Sequence, residues 1–431
     1  MNKVRLLWFL ITLGLTALAF MAGRLSKPAP KLDIPTHSAA DMDAAWQNFL
    51  QAQDAIRNYI MSQPQFQDSP QSAAQGYRSL LYNMAGAIEL SLHDPDFPRF
   101  SRMPDLGSKS GMDNPDNEYK MAIIDGSNDY LITGQMHSDR HIYLQTVYGQ
   151  PGVGDAGAGR FAGTLSGADI DFDKDGNFKI HVSPNAPDDG SNWLKTDKGV
   201  ETVLLRYSSP DWHAQPLTDW IEIVKICPDC SDLKEVWSPE KTAALLNDIS
   251  ASLHDRTVSW VSIASRIWSL MPVNAVGKPR LTPNGLTGQY SAFGKFELMD
   301  DEALIVSVPV SNADYQGAQL GNRWFHSLEY AHRQSSLTLS QAKADADGMI
   351  HFVISKHDPG VWNWLDTDGL NSGLVFLRWQ GAKGPPAADM ESKIIKLSGT
   401  KTELPDAVYV TAQQRQAQIA LRAKAISRRY Q

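Results

Sequence analysis

Two cysteines in 431 residues are too few for a disulfide scaffold. Basic charge is not in surplus: 40 Lys and Arg against 48 Asp and Glu leave a net charge of −8. That excludes nucleic acid as the main partner, since phosphate binding needs a dense basic surface. A single apolar run approaches the thickness of a bilayer, so the chain is not a polytopic membrane protein. No G-x-S-x-G nucleophile elbow and no H-E-x-x-H zinc motif occurs. With 42% hydrophobic and 20% charged residues, the composition is that of a globular chain, and its length suits two or three domains.

Lys3 and Arg5 precede an apolar run at residues 6–22, and Arg24, Lys27, Pro28 and Pro30 follow it. As a helix the run extends roughly 25 Å, at the lower limit for crossing a bilayer. The same layout defines a cleavable secretory signal, with Ala17-Leu18-Ala19 as its small-x-small site. Residues 1–31 are therefore a signal peptide or signal anchor. Either reading exports the rest to the cell envelope, in the periplasm or on the periplasmic face of the inner membrane. Cys227-Pro-Asp-Cys230 admits a local disulfide, a redox pair or half a zinc site. Pro228, Asp229, Ser231 and Asp232 favour a disulfide-clamped turn.

Residues 36–100 carry a helical period. Ser38 or Asp41 can cap a helix through Ala45, Trp46, Phe49, Leu50 and Ile56; a second runs from about Ser72 through Tyr77, Leu80, Leu81, Met84 and Ile88. From Tyr119 the pattern changes to short strand-like runs. The strongest signal is a self-similarity at a separation of about 172 residues. DKDGNFKIHVS (173–183), NWLKTD (192–197) and VLLRY (203–207) recur in order as DADGMIHFVIS (345–355), NWLDTD (363–368) and VFLRW (375–379). Each Asp-Gly marks a hairpin. Phe178, Ile180 and Val182 alternate with Lys179 and His181, giving one buried and one wet face. The expected fold is mainly β with helical additions: two tandem β-sandwich or jelly-roll-like domains at residues 101–227 and 285–403. A helical segment at 228–284, opening at Ser238-Pro239-Glu240, joins them, and a C-terminal helix occupies 404–431.

Several constellations could carry chemistry. Gly152, Gly154 and Gly157 match G-x-G-x-x-G, but no strand–turn–helix unit surrounds them, so the segment reads as a loop. Asp171, Asp173 and Asp175 could hold calcium or line a solvated strand edge. The duplicated Asn192-Trp193 and Asn363-Trp364 could stack on a ring-shaped ligand or belong to the core, with Arg206 and Arg378 paired nearby, Asp197 and Asp368 being candidates. The densest polar and aromatic strip is Trp324, His326, Glu329, Tyr330, His332 and Arg333. On a helix Glu329 would stand three residues from His332 and four from Arg333, and a Glu–His pair can act as general base. In the tail, Arg415, Arg422, Lys424, Arg428 and Arg429 either touch anionic lipid or accompany packing through Ala412, Ile419, Ala423 and Ile426.

HDPDFPRFSRMPD (93–105) with DNPDNEY (113–119), QLGNRWFHSLEYAHRQSSL (319–337), DPGVWNWLDTDG (358–369), FLRW (376–379) and the tail from Leu404 resemble bacterial proteins carrying the domain of unknown function 1214. The resemblance spans nearly everything after residue 40 and implies β-sandwich domains with helical additions. It departs from the family pattern at Glu329, His332 and Leu370, where Asp, Asn and His are expected. It implies no reaction and no cofactor. The expected function is a non-catalytic binding or accessory protein whose partner is another envelope protein or an apolar, ring-shaped or carbohydrate ligand. Asn192, Trp193, Trp324, Tyr330, Asn363 and Trp364 are its candidate contacts. The alternative is a hydrolase or lyase using Glu329, His332 and Arg333.

Overall fold

Asp41 accepts the Asp43 N–H at 3.3 Å and opens α1 (Met42–Met61). Ser69 caps α2 (Pro70–Ser91), with Pro70 in the first turn, where a missing N–H breaks no helical bond. Ser238 and Pro239 open α3 (Pro239–Leu270) in the same way, as the Ser-Pro-Glu signal predicts. The three helices pack on one another. Their buried faces centre on Ala45, Phe49, Ala52 and Ile56 of α1 and on Leu80, Ala87 and Leu90 of α2. Trp46, Leu50, Tyr77 and Leu81, expected on those faces, are exposed instead. Small residues such as Ala45, Ala52 and Ala87 let the helices approach closely, so the contact stripe is narrower than the apolar pattern. The computed structural model describes residues 41–137, 141–153, 159–212, 219–228, 233–282, 285–286 and 288–429. The apolar run at 6–22 lies outside them, and among the described residues no helix is long and apolar enough to cross a membrane.

The first copy contributes β1 (Ser101–Arg102), β2 (Asn117–Ile123), β3 (Tyr130–Gln135), β4 (His141–Tyr148), β5 (Phe161–Ser166), β6 (Asn177–Ser183), β7 (Trp193–Lys195), β8 (Val200–Ser208) and β9 (Trp220–Lys225). The second contributes β10 (Ala275–Val276), β11 (Arg280–Leu281), β12 (Tyr290–Glu297), β13 (Glu302–Pro309), β14 (Tyr315–Gly321), β15 (Ser336–Thr338), β16 (Met349–Ser355), β17 (Trp364–Asp366), β18 (Ser372–Gln380) and β19 (Glu391–Lys396). The sheets order β1-β2-β8-β4-β5 and β7-β6-β3-β9 in the first copy. In the second they order β10-β12-β18-β14-β15, with β11 also on β12, and β17-β16-β13-β19. The correspondence is strand for strand, down to the parallel pairs β6–β7 and β16–β17. The inner faces supply one core to each sandwich: Ile132, Leu144, Ile180, Val203 and Leu205 in the first, Phe296, Leu304, Leu320, Ile350 and Leu377 in the second.

The copies differ in what covers their outer faces. In the second, Ile305, Val353, Trp364 and Ile395 are buried beneath Leu404, Ala407 and Tyr409. The matching positions of the first copy, Leu131, His181 and Trp193, stay partly exposed. α4 (Thr400–Glu403) and α5 (Ala412–Arg428) complete the chain.

Between the copies lies a polar seam. The Ser208 hydroxyl stands 2.7 Å from Asn117 Oδ1 and 3.1 Å from Oε1 of Gln380, its counterpart 172 residues later. Gln380 Nε2 in turn donates to Gln289 Oε1 at 2.9 Å. Arg378 is buried and Arg206 partly buried, and they donate to Gln319 and Gln145, not to Asp368 and Asp197. Asp197 accepts from the Tyr148 hydroxyl and Asp368 pairs with Arg333. An amide can bond a guanidinium while leaving no second charge in the interior, which reduces the desolvation cost.

Candidate functional site

The DNPDNEY segment is the knot of this seam. Asp113 accepts the Ser327 hydroxyl at 2.6 Å and the Ser327 N–H at 3.1 Å. Asp116 accepts the Tyr315 hydroxyl at 2.6 Å and the Trp212 indole N–H at 2.7 Å. Burial pushes the Asp116 carboxyl up, and burial beside Asp116 holds the Tyr315 phenol well above its usual value. These motif residues therefore join segments some 200 positions apart in sequence.

The strip from Trp324 to Arg333 is not helical. Asn322 Oδ1 accepts the N–H groups of Trp324 and His326 at 3.0 and 3.1 Å, and Phe325 lies at φ +63°. Lys109 then takes the carbonyls of Ser327 and Leu328 at 3.0 and 2.8 Å, acceptors a helix would need for itself. From the other side Arg422 of α5 donates to the carbonyls of Tyr330 (3.0 Å), Arg333 (3.2 Å) and Ser336 (2.8 Å). Sequence reasoning missed Lys109, a loop lysine that carries no motif, and named Arg422 only as part of a basic tail that touches lipid or accompanies packing.

Here α2, the loop before β2, this strip and the turn after β17 wall a cluster of charged side chains. Arg78 and Tyr82 come from α2, with Arg78 Nη2 donating to the Tyr82 hydroxyl at 2.6 Å. Lys109 lies 4.5 Å from the Tyr330 ring, and burial draws its amine down while Asp113 and Glu329 oppose that. His326 is buried edge-on to Tyr82, with Nδ1 unpartnered among the described residues. Burial, then Lys109 and Arg78, lower its imidazole to about 3. Burial raises the Glu329 carboxyl, but the His332 N–H, Lys109 and the Ala331 N–H outweigh it and leave it below the ordinary value. His332 Nδ1 stands 3.5 Å from Glu329 and its side chain is 75% exposed, so solvent screens the pair. Arg333 binds Asp366 at 2.8 Å and Asp368 at 3.0 Å; burial raises Asp368 despite that arginine. Of the four described non-glycine residues at positive φ, Met112, Phe325 and Asp368 belong to these walls. Such concentration of backbone strain accompanies functional sites.

The structure places the other candidates elsewhere. Asn192 Oδ1 accepts the Asp171 N–H and its Nδ2 donates to the Asp171 and Lys179 carbonyls. Asn363 clamps the N–H and carbonyl of Lys343, 172 positions after Asp171, in the same way. Trp193 and Trp364 donate to the carbonyls of Ser183 and Ser355, each at 3.1 Å. Asn-Trp is thus a repeated staple holding the parallel strand, and Trp324, 1% exposed, donates to Ser72 O on α2. Tyr330 is buried beneath Lys109. Trp324, Trp364 and Tyr330 are buried, whereas Trp193 stays partly exposed. Asp173 accepts the N–H groups of Asp175 and Asn177 to close the β6 hairpin, and Asp175 pairs with Lys174. Among the described residues no three metal-ligating side chains converge. Gly152, at φ +83°, lies against Trp260, where a Cβ would clash; residues 154–158 lie outside the described residues. Cys227 is disulfide-bonded, and Cys230 lies outside the described residues. Leu370, where the family pattern expects His, fills the second core.

Paired sandwiches of one topology, joined by a buried polar seam, define a duplicated β-sandwich protein with a helical layer. Residues 115–211 match the model of DUF1214, a protein family of unknown function. The match falls on the first copy, whereas the longest motifs resembling the family lie in the second. Among solved structures, an uncharacterized protein from Burkholderia cenocepacia is 25% identical with a TM-score of 0.73, covering 82% of this chain and 97% of that one. A Vibrio parahaemolyticus protein is 11% identical with a TM-score of 0.43, covering 74% and 98%. No curated protein matches the sequence.

Proposed function

We propose that the chain is an exported, non-catalytic binding protein of the cell envelope that holds a small polyhydroxylated ligand, a carbohydrate by class, at the charged cluster beside α2. The observation that carries this reading is the convergence of Arg78, Lys109, Glu329, Arg333 and Asp368 from four segments distant in sequence. Charged donors and acceptors gathered in one cluster suit neighbouring hydroxyls, which donate and accept at once. The burial of Trp324 and Trp364 favours recognition by hydrogen bonds over ring stacking. The lowered Glu329 carboxyl favours binding over base catalysis, which works best with a pKa near the operating pH. The apolar run at 6–22 and the disulfide at Cys227 support an oxidising, exported setting.

Calorimetric titration of the full chain with a panel of mono- and oligosaccharides tests the reading. At least one sugar is expected to bind, and Glu329→Gln and Asp368→Asn each to weaken it by about tenfold, equivalent to about 1.4 kcal/mol. Silence across the panel, or variants that bind like the parent, would overturn it. Turnover of a bound sugar that disappears in Glu329→Gln would replace it with the hydrolase or lyase alternative.

A further inference from the structure

The middle of α3 is buried on all sides and carries a charge there. Arg256 is 1% exposed, and its guanidinium makes one hydrogen bond, from Nη1 to the Pro151 carbonyl at 3.1 Å. Arg256 Nε, Thr257 Oγ1 and Trp260 Nε1, on consecutive turns of one helix, all lack acceptors among the described residues. Arg256 and Trp260 stand four apart, so they share a face, and they touch the consecutive residues Pro151 and Gly152. Glycines line the spot. A Cβ on Gly86 would stand 2.8 Å from Arg256 Nη2, one on Gly152 2.2 Å from Trp260 Nε1, and one on Gly111 2.7 Å from the Trp260 ring.

The other buried arginines show what is missing. Arg415 binds the Asp358 carboxylate, Arg422 three carbonyls and a hydroxyl, and Arg378 a glutamine amide. Around Arg256, burial alone acts on the guanidinium and draws it down to about 10, with no charged neighbour among the described residues to oppose it. A guanidinium does not escape by losing its proton, so an interior that holds one must supply a counter-charge or a full set of acceptors.

We propose that Arg256, Thr257 and Trp260 form a buried site for one monoanion, a halide or the carboxylate head of a small organic acid. One positive charge is neutralised by one negative charge, whereas a phosphate dianion would leave net charge in the interior. Two N–H groups and a hydroxyl form a donor set suited to such an acceptor. The site shares no residue with the charged cluster beside α2 and stands whether or not that cluster binds a sugar.

The test combines thermal unfolding of the full chain with bromide anomalous diffraction. Sodium chloride, bromide, formate and acetate are compared with sodium sulfate at equal ionic strength. A saturable rise of the unfolding midpoint with a monoanion is expected in the parent and is lost in Arg256→Met. Trp260→Phe, which keeps the ring and removes the N–H, is expected to raise the half-saturating concentration severalfold if Arg256→Met fails to fold. An anomalous bromide peak at Arg256 together with a halide-dependent midpoint identifies a halide. A rise with formate or acetate and no bromide peak identifies a carboxylate. No rise with any monoanion, a bromide peak without a change in midpoint, or a rise unchanged in Trp260→Phe would each overturn the proposal.

Discussion

His326 is the residue whose chemistry is most altered by its place. Burial beside Lys109 and Arg78 keeps it neutral down to about pH 3, against an ordinary value of 6.5. The unfolded chain therefore binds a proton between those values that the fold refuses. The histidine's contribution to stability is whole above pH 6.5 and is lost as pH falls, by about 1.4 kcal/mol for each unit. Urea denaturation at pH 6.5 and 5 is expected to show the parent losing about 2 kcal/mol more than His326→Gln. Equal losses would mean that the imidazole titrates normally. None of this could be read from sequence. A histidine among Trp, Glu and Tyr suits a catalytic pair as well as a buried neutral ring, and only Lys109, more than 200 residues earlier, distinguishes them. The duplicated Asn-Trp pairs were visible as a repeat for the opposite reason. Their partners lie within the same copy at matching spacing, so one set of contacts is written twice.

Among the elements, strands were more legible than helix faces or loops. Asp-Gly turns and alternation mark β6 and β16 locally, because hairpin geometry is set by adjacent residues. On α1 and α2 apolar residues also occupy the exposed side, and which stripe is covered depends on α3, which follows more than 140 residues later. The basic C-terminal helix illustrates the same limit. Its inner face is Arg415, Arg422, Ala425 and Ile426, with arginines in place of the apolar stripe the tail suggested. Arg422 also stacks 4.4 Å from the Trp212 ring while holding the carbonyls of Tyr330, Arg333 and Ser336. Arg422→Met keeps much of the volume and abandons those acceptors. It is expected to cost on the order of 3 kcal/mol in urea denaturation and to weaken ligand binding at Glu329 without touching it. Unchanged stability would mean that water replaces the guanidinium.

For the molecule as a whole, the duplication was plain in the sequence and the seam was not. Arg206 and Arg378 recur in apolar strands, but glutamine partners give no charge pattern to read. Since Gln319 bonds Arg378 and also donates to the Asp113 carbonyl at 3.0 Å, Gln319→Leu removes an acceptor and a tie between copies at once. The expected cost is about 2–4 kcal/mol, with heat unfolding of the parent in one transition and of the variant in two. Two transitions in the parent would show that each sandwich melts independently.

The seam also has a consequence in time. A ribosome delivers the first sandwich, which ends at Lys225, while Tyr315, Ser327 and Gln380 are still 90 or more residues from being made. Until they arrive, Ser208, Asp116 and Asp113 face water, and α2 lacks the Trp324 that anchors to Ser72. The nascent chain is thus obliged to wait half-dressed, and a helper that shelters newly made surfaces would find its client in that interval.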